Sequence, residues 1–124
     1  MNIPNDLFYT EDHEWIKIDG DIAIIGITDY AQSELGDIIF IELPNIGDNV
    51  NAKDSIGTIE AVKTVADIFS PLSGTIVEIN TNLEDEPEAV NRDPYLGGWI
   101  VKINNLKDNN NTFLNAEQYK KITQ

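Results

Sequence analysis

Residues 59–71 read IEAVKTVADIFSP, and this stretch predicts two short strands joined by a tight turn around Lys63. Strand side chains alternate between two faces with a period of two. That period places four apolar residues on facing sides of the two arms: Ile59, Ala61, Ala66 and Ile68. Ser70-Pro71 ends the second arm, because proline cannot donate to a strand ladder. Lys63 is therefore predicted at an exposed hairpin tip, well apart from the nearest other lysine, Lys53.

A lysine in this setting has the properties that a covalent carrier site needs. The amine is within reach of a modifying enzyme, the backbone has one shape, and the tip stands away from the body of the protein. Residues 47–50 (GDNV) precede the hairpin and residues 70–76 (SPLSGTI) follow it. This order resembles the domains that carry a lipoyl or biotinyl group on one lysine.

The rest of the chain is also rich in short strands. Asp19-Gly20 separates two alternating runs, 14–18 and 21–27, and predicts a hairpin whose two turn residues both have positive φ. Further strands are predicted over 37–43, 55–61, 64–69, 74–79 and 98–103. Many short strands with glycine or proline between them every eight to twelve residues are typical of an antiparallel barrel or sandwich.

The predicted helices are short. Thr28 can cap a helix that ends near Gly36, and Asn115 can cap a final helix over 116–122. Residues 80–94 are polar and predict a surface excursion with one helical turn after Pro87, and 104–111 predict an asparagine-rich loop. We therefore expect a mainly β, single barrel-sandwich domain over 1–124, with short peripheral helices and a C-terminal helix.

Composition excludes several classes of function. The chain has 22 Asp and Glu against 8 Lys and Arg, a net charge of −14, so nucleic acid and anionic membrane surfaces repel it. It has no cysteine, which excludes disulfides and thiolate sites. We expect no membrane span, because no apolar run is long enough, and no signal or transit sequence in residues 1–6.

Five separated motifs resemble the H proteins of the glycine cleavage system, and together they cover almost the whole chain. They are residues 9–15 (YTEDHEW), 25–32 (IGITDYAQ) together with 35–44 (LGDIIFIELP), 60–63 (EAVK), 70–74 (SPLSG) and 90–100 (VNRDPYLGGWI). Each motif alone is modest evidence, but their number and order make the resemblance specific. The chain departs from the family pattern at Ala61, where serine is usual, and at Thr64, where alanine is usual. Both changes leave the hairpin intact.

The resemblance implies a non-catalytic carrier with lipoate in amide linkage to Lys63. The amide would remove one positive charge from the chain's net charge of −14. The arm would take an aminomethyl group from a pyridoxal-phosphate glycine decarboxylase and deliver it to a folate-dependent aminomethyltransferase. A dihydrolipoyl dehydrogenase would reoxidise it, and a lipoate ligase or lipoyl transferase would attach it. The resemblance implies a cytoplasmic location in a bacterium, or the mitochondrial matrix for a mature eukaryotic form, and we expect a monomer.

Glu14 and Asp67 are the candidates for contacts with the loaded arm, since a carboxylate attracts the cationic aminomethyl group. His13, the only histidine, is predicted to begin a strand, because no nucleophile pattern accompanies it. The acidic run 84–88 lacks the spacing of a calcium loop, and Gly97-Gly98 precedes a strand where a phosphate loop would precede a helix.

Three other functions stay open at this point. The first is a lipoyl or biotinyl module of another complex, although Val62 and Thr64 differ from the methionines that usually flank a biotinyl lysine. The second is a binding or scaffold protein whose hairpin lysine is never modified. The third is an enzyme, which would need a separate catalytic constellation.

Overall fold

The computed structural model describes residues 1–104 and 113–123, and their architecture is mainly β. The strands are β1 Phe8–Tyr9, β2 Glu14–Asp19, β3 Ile22–Ile27, β4 Ile38–Glu42, β5 Asn49–Val50, β6 Ser55–Ala61, β7 Val65–Phe69, β8 Gly74–Ile79 and β9 Val101–Asn104. The helices are α1 Asp29–Leu35, α2 Asn82–Asp85, α3 Ala89–Arg92 and α4 Ala116–Ile122. In these residues no helix is long and apolar enough to cross a bilayer.

The strands form two antiparallel sheets. The larger sheet has the order β1-β2-β3-β9-β8-β5, and the smaller has the order β4-β6-β7. The prediction of a β-rich fold with short helices and a C-terminal helix is therefore confirmed, and the sheets of the described residues do not close into a barrel. The hairpin around Lys63 belongs to the smaller sheet.

The main apolar core lies between the sheets. Isoleucines from both sheets form it, and those with the least exposure are Ile16, Ile25, Ile76 and Ile103 from the larger sheet, and Ile41, Ile59 and Ile68 from the smaller one. A second cluster packs the C-terminal helix against the chain's N-terminal part through Tyr9, Trp15 and Tyr119. Tyr9 and Tyr119 stack with ring centroids 4.7 Å apart.

Both predicted helix caps are present. Thr28 accepts a hydrogen bond from the Ala31 N–H at 3.1 Å, and Gly36 ends the helix at φ 78°, a conformation that glycine adopts without steric cost. Asn115 and Gln118 form a reciprocal capping box at the start of α4.

Three predictions need correction. The first hairpin turns at Gly20-Asp21 and not at Asp19-Gly20, because Asp19 pairs with Ile22; of the two turn residues only Gly20 has positive φ. Residues 80–94 are not a simple surface excursion, since α2 and α3 bury Leu83 and Val90 completely. The last strand begins at Val101, three residues later than predicted, and the predicted loop lies outside the described residues except for Asn104.

Candidate functional site

The β6–β7 hairpin presents Lys63 at an exposed tip with a firmly held backbone. The Ala61 N–H donates to the Thr64 carbonyl at 2.8 Å, which closes the turn, and the Val62 N–H donates to the Asp37 carbonyl at 3.0 Å. The second bond ties the tip to the start of β4. Lys63 and its two neighbours, Val62 and Thr64, are all exposed. Lys63 makes no ion pair within 1–104 and 113–123, so its amine is accessible to a modifying enzyme.

A cleft with a volume of about 340 Å³ opens beside the same hairpin. Its walls combine apolar, aromatic and acidic side chains: Ile27, Ala31, Leu35, Ile59, Ala66 and Ile68, then His13 and Tyr30, then Asp12, Glu14, Glu34 and Asp67. Ala66 is three residues from Lys63 along the chain, so the cleft begins at most about 10 Å from the tip at about 3.3 Å per residue. The hairpin thus supplies both the lysine and one wall of the cleft.

Glu14 is the buried acid of the cleft, with only 3% of its surface exposed. A tight turn places it: the Thr10 N–H donates to the Glu14 carbonyl at 3.0 Å, and the Thr10 hydroxyl donates to Glu14 Oε1 at 2.8 Å. Burial raises the pKa of Glu14 to about 7, while the Thr10 hydrogen bond acts in the opposite direction. Near neutral pH this carboxyl can therefore gain or lose its proton.

His13 and Tyr119 connect the cleft to the C-terminal helix. The two side chains meet through His13 Nδ1 and the Tyr119 hydroxyl at 2.8 Å, and that hydroxyl lies 2.7 Å from Thr28 Oγ1, the cap of α1. The ring of His13 also packs against Tyr30, with centroids 4.7 Å apart. Burial lowers the pKa of His13, and the negative charges of Asp12 and Glu34 act in the opposite direction. α4 thereby braces one wall of the cleft.

The structure brings together the two acids that the sequence singled out. Glu14, at the start of β2, and Asp67, in β7, line the same cleft, although Glu14 is buried and Asp67 is exposed. Sequence reasoning missed His13 and Tyr30 as cleft residues. The sequence signal that could have placed His13 in the cleft was its position directly beside Glu14. Its φ of 68°, which is uncommon for a residue other than glycine, is visible only in the structure.

Glu14 should make stability depend on pH. Its pKa is about 7 in the folded protein and 4.5 ordinarily, so between these values the folded state holds a proton that the unfolded state releases. Stability therefore falls as pH rises through this window. The free energy of unfolding of the wild type should therefore fall by on the order of 2 kcal/mol between pH 5 and pH 8 through Glu14 alone. Glu14→Gln cannot ionise, so it should not show this fall and should gain that amount of stability relative to the wild type over the same interval.

Urea unfolding of both proteins at the two pH values measures this difference. Glu11→Gln, at an exposed acid three residues earlier, is the control and should show no such gain. An equal stability difference between Glu14→Gln and wild type at pH 5 and pH 8 would contradict the buried, proton-binding state of Glu14.

Comparisons with known proteins agree along nearly the whole chain. A family model described as "Glycine cleavage H-protein" matches residues 7–124. A protein of Listeria monocytogenes serotype 4a named "Glycine cleavage system H protein" is 50% identical over 123 residues, which is 98% of each chain. A protein of the same name from Listeria welshimeri is 52% identical over 122 residues, again 98% of each.

A solved structure has the same fold. It is the crystal structure of a glycine cleavage system H protein from Mycobacterium marinum, with a TM-score of 0.89 and 41% identity. The match covers 96% of this chain and 97% of that one. Sequence and structure comparisons therefore point to the same relatives.

Proposed function

The chain belongs to the glycine cleavage H-protein family, that of the lipoyl carrier of the glycine cleavage system, and we propose that Lys63 is the residue on which it carries lipoate. One observation supports this assignment above all: the β6–β7 hairpin carries an exposed lysine at its tip and also forms one wall of an acid-lined cleft. In this proposal residues 1–124 act as a single lipoyl-carrier domain without catalytic residues of its own.

The residues around Lys63 fit a long acyl arm. The cleft begins at most about 10 Å from the tip, and a lysine side chain extended by the acyl chain of lipoate is longer than that. Its apolar walls, among them Ile27, Ile59 and Ile68, suit the methylenes of such an arm. When bound, lipoate supplies a dithiol that takes up the aminomethyl group derived from glycine and gives it up again.

The chain's own contribution in this proposal is to shelter a cationic cargo. Glu14 would offer a carboxylate to the amine at the inner end of the cleft, where burial makes their attraction stronger than about 1 kcal/mol, its value for two unit charges 4 Å apart in water. A nearby cation also favours the ionised carboxyl, so it would lower the raised pKa of Glu14. Asp67, which is exposed, would contribute a weaker and salt-screened attraction.

The proposed partners are a pyridoxal-phosphate glycine decarboxylase, a folate-dependent aminomethyltransferase, a dihydrolipoyl dehydrogenase and a lipoate ligase or lipoyl transferase. Membership of the glycine cleavage system supports them as a group. The relatives named above are bacterial, which supports the predicted cytoplasmic location in a bacterium over the mitochondrial matrix. The monomeric state stays a prediction.

Loading of the arm tests this function. Lipoylated protein incubated with glycine and the decarboxylase should gain the aminomethyl group in its intact mass, and protein without lipoate should not. We expect Glu14→Gln to accept lipoate normally but to lose its cargo at least about five times faster, since ~1 kcal/mol of lost attraction corresponds to a factor of about five. The half-lives of the two loaded proteins at matched pH provide the measurement.

Two comparisons make this experiment specific. Glu11→Gln, at an exposed acid of the same segment, should keep the wild-type half-life. Because Glu14 is buried, the difference between Glu14→Gln and wild type should persist when salt is raised. Identical half-lives for Glu14→Gln and wild type would remove Glu14 from the site, whereas failure of the lipoylated wild type to load would overturn the carrier function.

A further inference from the structure

An exposed apolar patch surrounds the tip of the Lys63 hairpin. It consists of Ile39, Phe40, Val62 and Val65, whose exposed fractions are 53%, 50%, 68% and 63%. We call these four residues the hairpin patch. The solvated face of an antiparallel sheet is commonly polar, so exposed Ile39, Phe40 and Val65 on the strands, with Val62 in the adjoining turn, are unusual. Exposed apolar residues grouped in this way, with polar residues around them, mark interaction sites.

The strand register places two of the patch residues, Phe40 and Val65, on one face of the sheet. Phe40 pairs with Glu60 across β4 and β6, and Glu60 pairs with Val65 across β6 and β7. Residues paired directly across strands share a face of the sheet. Phe40 and Val65 therefore flank Glu60 in one row, two residues from Lys63 on the β7 side.

A β-bulge enlarges the patch. The pairing of β4 with β6 advances by two residues on β4, from Ile38 to Phe40, but by only one on β6, so Ile39 is the extra residue. Ile38 and Ile41 are buried at 3% and 2%, while the two residues between them are exposed. Without the bulge, strict alternation would expose only one of these two.

Acidic side chains border the patch. Glu60 lies within the row, Asp67 follows two residues after Val65, and Glu42 lies two residues after Phe40 on the same strand. All three are exposed. Apart from Lys63, the segment from 54 to 91 contains no basic residue. A surface complementary to this region has apolar groups opposite the patch residues, and basic groups both opposite Glu60 and around the rim.

We propose that the hairpin patch is the docking surface for the enzyme that acylates Lys63, and that this enzyme meets it with an apolar surface that also carries lysine or arginine. The inference rests on the proposed acylation of Lys63. Geometry selects this enzyme over the others, because it must bring its reaction centre to Lys63 Nζ itself. Enzymes that act on the far end of the arm can work at a distance from the tip.

The reaction at the docked tip is an acyl transfer. The Lys63 amine forms an amide bond to the carboxyl carbon of lipoate, and the bond from that carbon to the phosphate oxygen of an acyl adenylate breaks. Adenylate leaves and the amine loses a proton. The patch contributes to this reaction only by holding the hairpin, so we expect it to affect KM and not kcat.

The test compares two double variants matched for exposure. Phe40→Ser with Val65→Ser removes half of the patch, whereas Phe8→Ser with Ile46→Ser removes side chains that are 45% and 63% exposed elsewhere. The probe is a lipoate ligase supplied with lipoate and ATP, and the readout is the rate of acylation against carrier concentration, at a temperature where every protein is folded. We expect the patch variant to raise KM at least about tenfold, and the control to leave it unchanged.

Added salt should raise the KM of the wild type, since screening weakens the attraction between the acidic border and a basic rim. Equal KM values for the wild type and both double variants would overturn the docking surface, while the proposed function would stand. A lower kcat at unchanged KM would also overturn it, because the patch would then act on the chemical step. If the wild type itself received no lipoate on Lys63, the proposed function would fail and the docking proposal with it.

Discussion

Lys63→Arg should abolish lipoylation and with it all aminomethyl transfer, while the protein stays folded. A guanidinium does not form the amide that the lysine amine forms with lipoate. The side chain is exposed and makes no ion pair in the described ranges 1–104 and 113–123, so its replacement should change the free energy of unfolding by less than about 0.5 kcal/mol. Intact mass, the transfer assay and thermal unfolding measure the three quantities.

Lys53→Arg is the matched control for this prediction. Lys53 is also an exposed lysine, and its nearest charged partner is Asp12 at 3.4 Å. The variant should be lipoylated and active at wild-type levels. If Lys63→Arg still received lipoate in the same assay, another lysine would carry the group and the assignment of Lys63 would be wrong.

Gly74→Val should be strongly destabilising. A Cβ at this position would overlap the Asn104 carbonyl oxygen and lie 2.7 Å from Ile103 Cγ2, where strands β8 and β9 approach each other closely. Neither neighbour is a flexible chain end, since one is backbone and the other is a buried core side chain. We expect a loss of about 3 kcal/mol, which corresponds to a fall in Tm of about 10 °C for a chain of this size.

Lipoylation of Gly74→Val should slow in parallel with its loss of stability, because residues 70–73, which connect the end of β7 to Gly74, are displaced. Gly97→Val provides the control: a Cβ at Gly97 meets nothing closer than Asp93 Oδ2, at 3.4 Å, so its Tm should change little. Thermal unfolding and the acylation rate are measured on the same samples. A sharp loss of lipoylation at unchanged Tm would show instead that Gly74 contacts the modifying enzyme directly.

Local signals predicted the elements whose ends depend on single residues. Thr28 and Asn115 are present as helix caps, and the strand over 74–79 has the predicted bounds, because capping and glycine punctuation act within a few residues. The two-residue strands β1 and β5 were missed. Strands so short carry too little of a pattern, and tertiary pairing alone defines them.

The remaining errors come from long-range packing. The predicted strand over 37–43 is present as β4, but the sequence did not indicate the bulge at Ile39 that exposes Ile39 and Phe40, because the bulge depends on pairing with β6. The burial of Leu83 and Val90 likewise depends on how α2 and α3 pack on the sheets.

The candidate site was predictable only in part, because some of it also depends on long-range packing. Lys63 follows from local hairpin chemistry, whereas the burial of Glu14 and the place of His13 in the cleft follow from the packing of β2 beside α1 and α4. Sequence could select Glu14 and Asp67 as acids near the arm. It could not show that only Glu14 is buried enough for its pKa to rise to about 7.

The most direct measurement of the central claim is the position of the adduct on the chain. Protein lipoylated in vitro is digested with a protease that cleaves after glutamate, and the peptides are sequenced by mass spectrometry. The account predicts one modified residue, Lys63, with Lys53 and Lys102 unmodified in the same sample. Lipoate on Lys53 or Lys102 with Lys63 bare would contradict it.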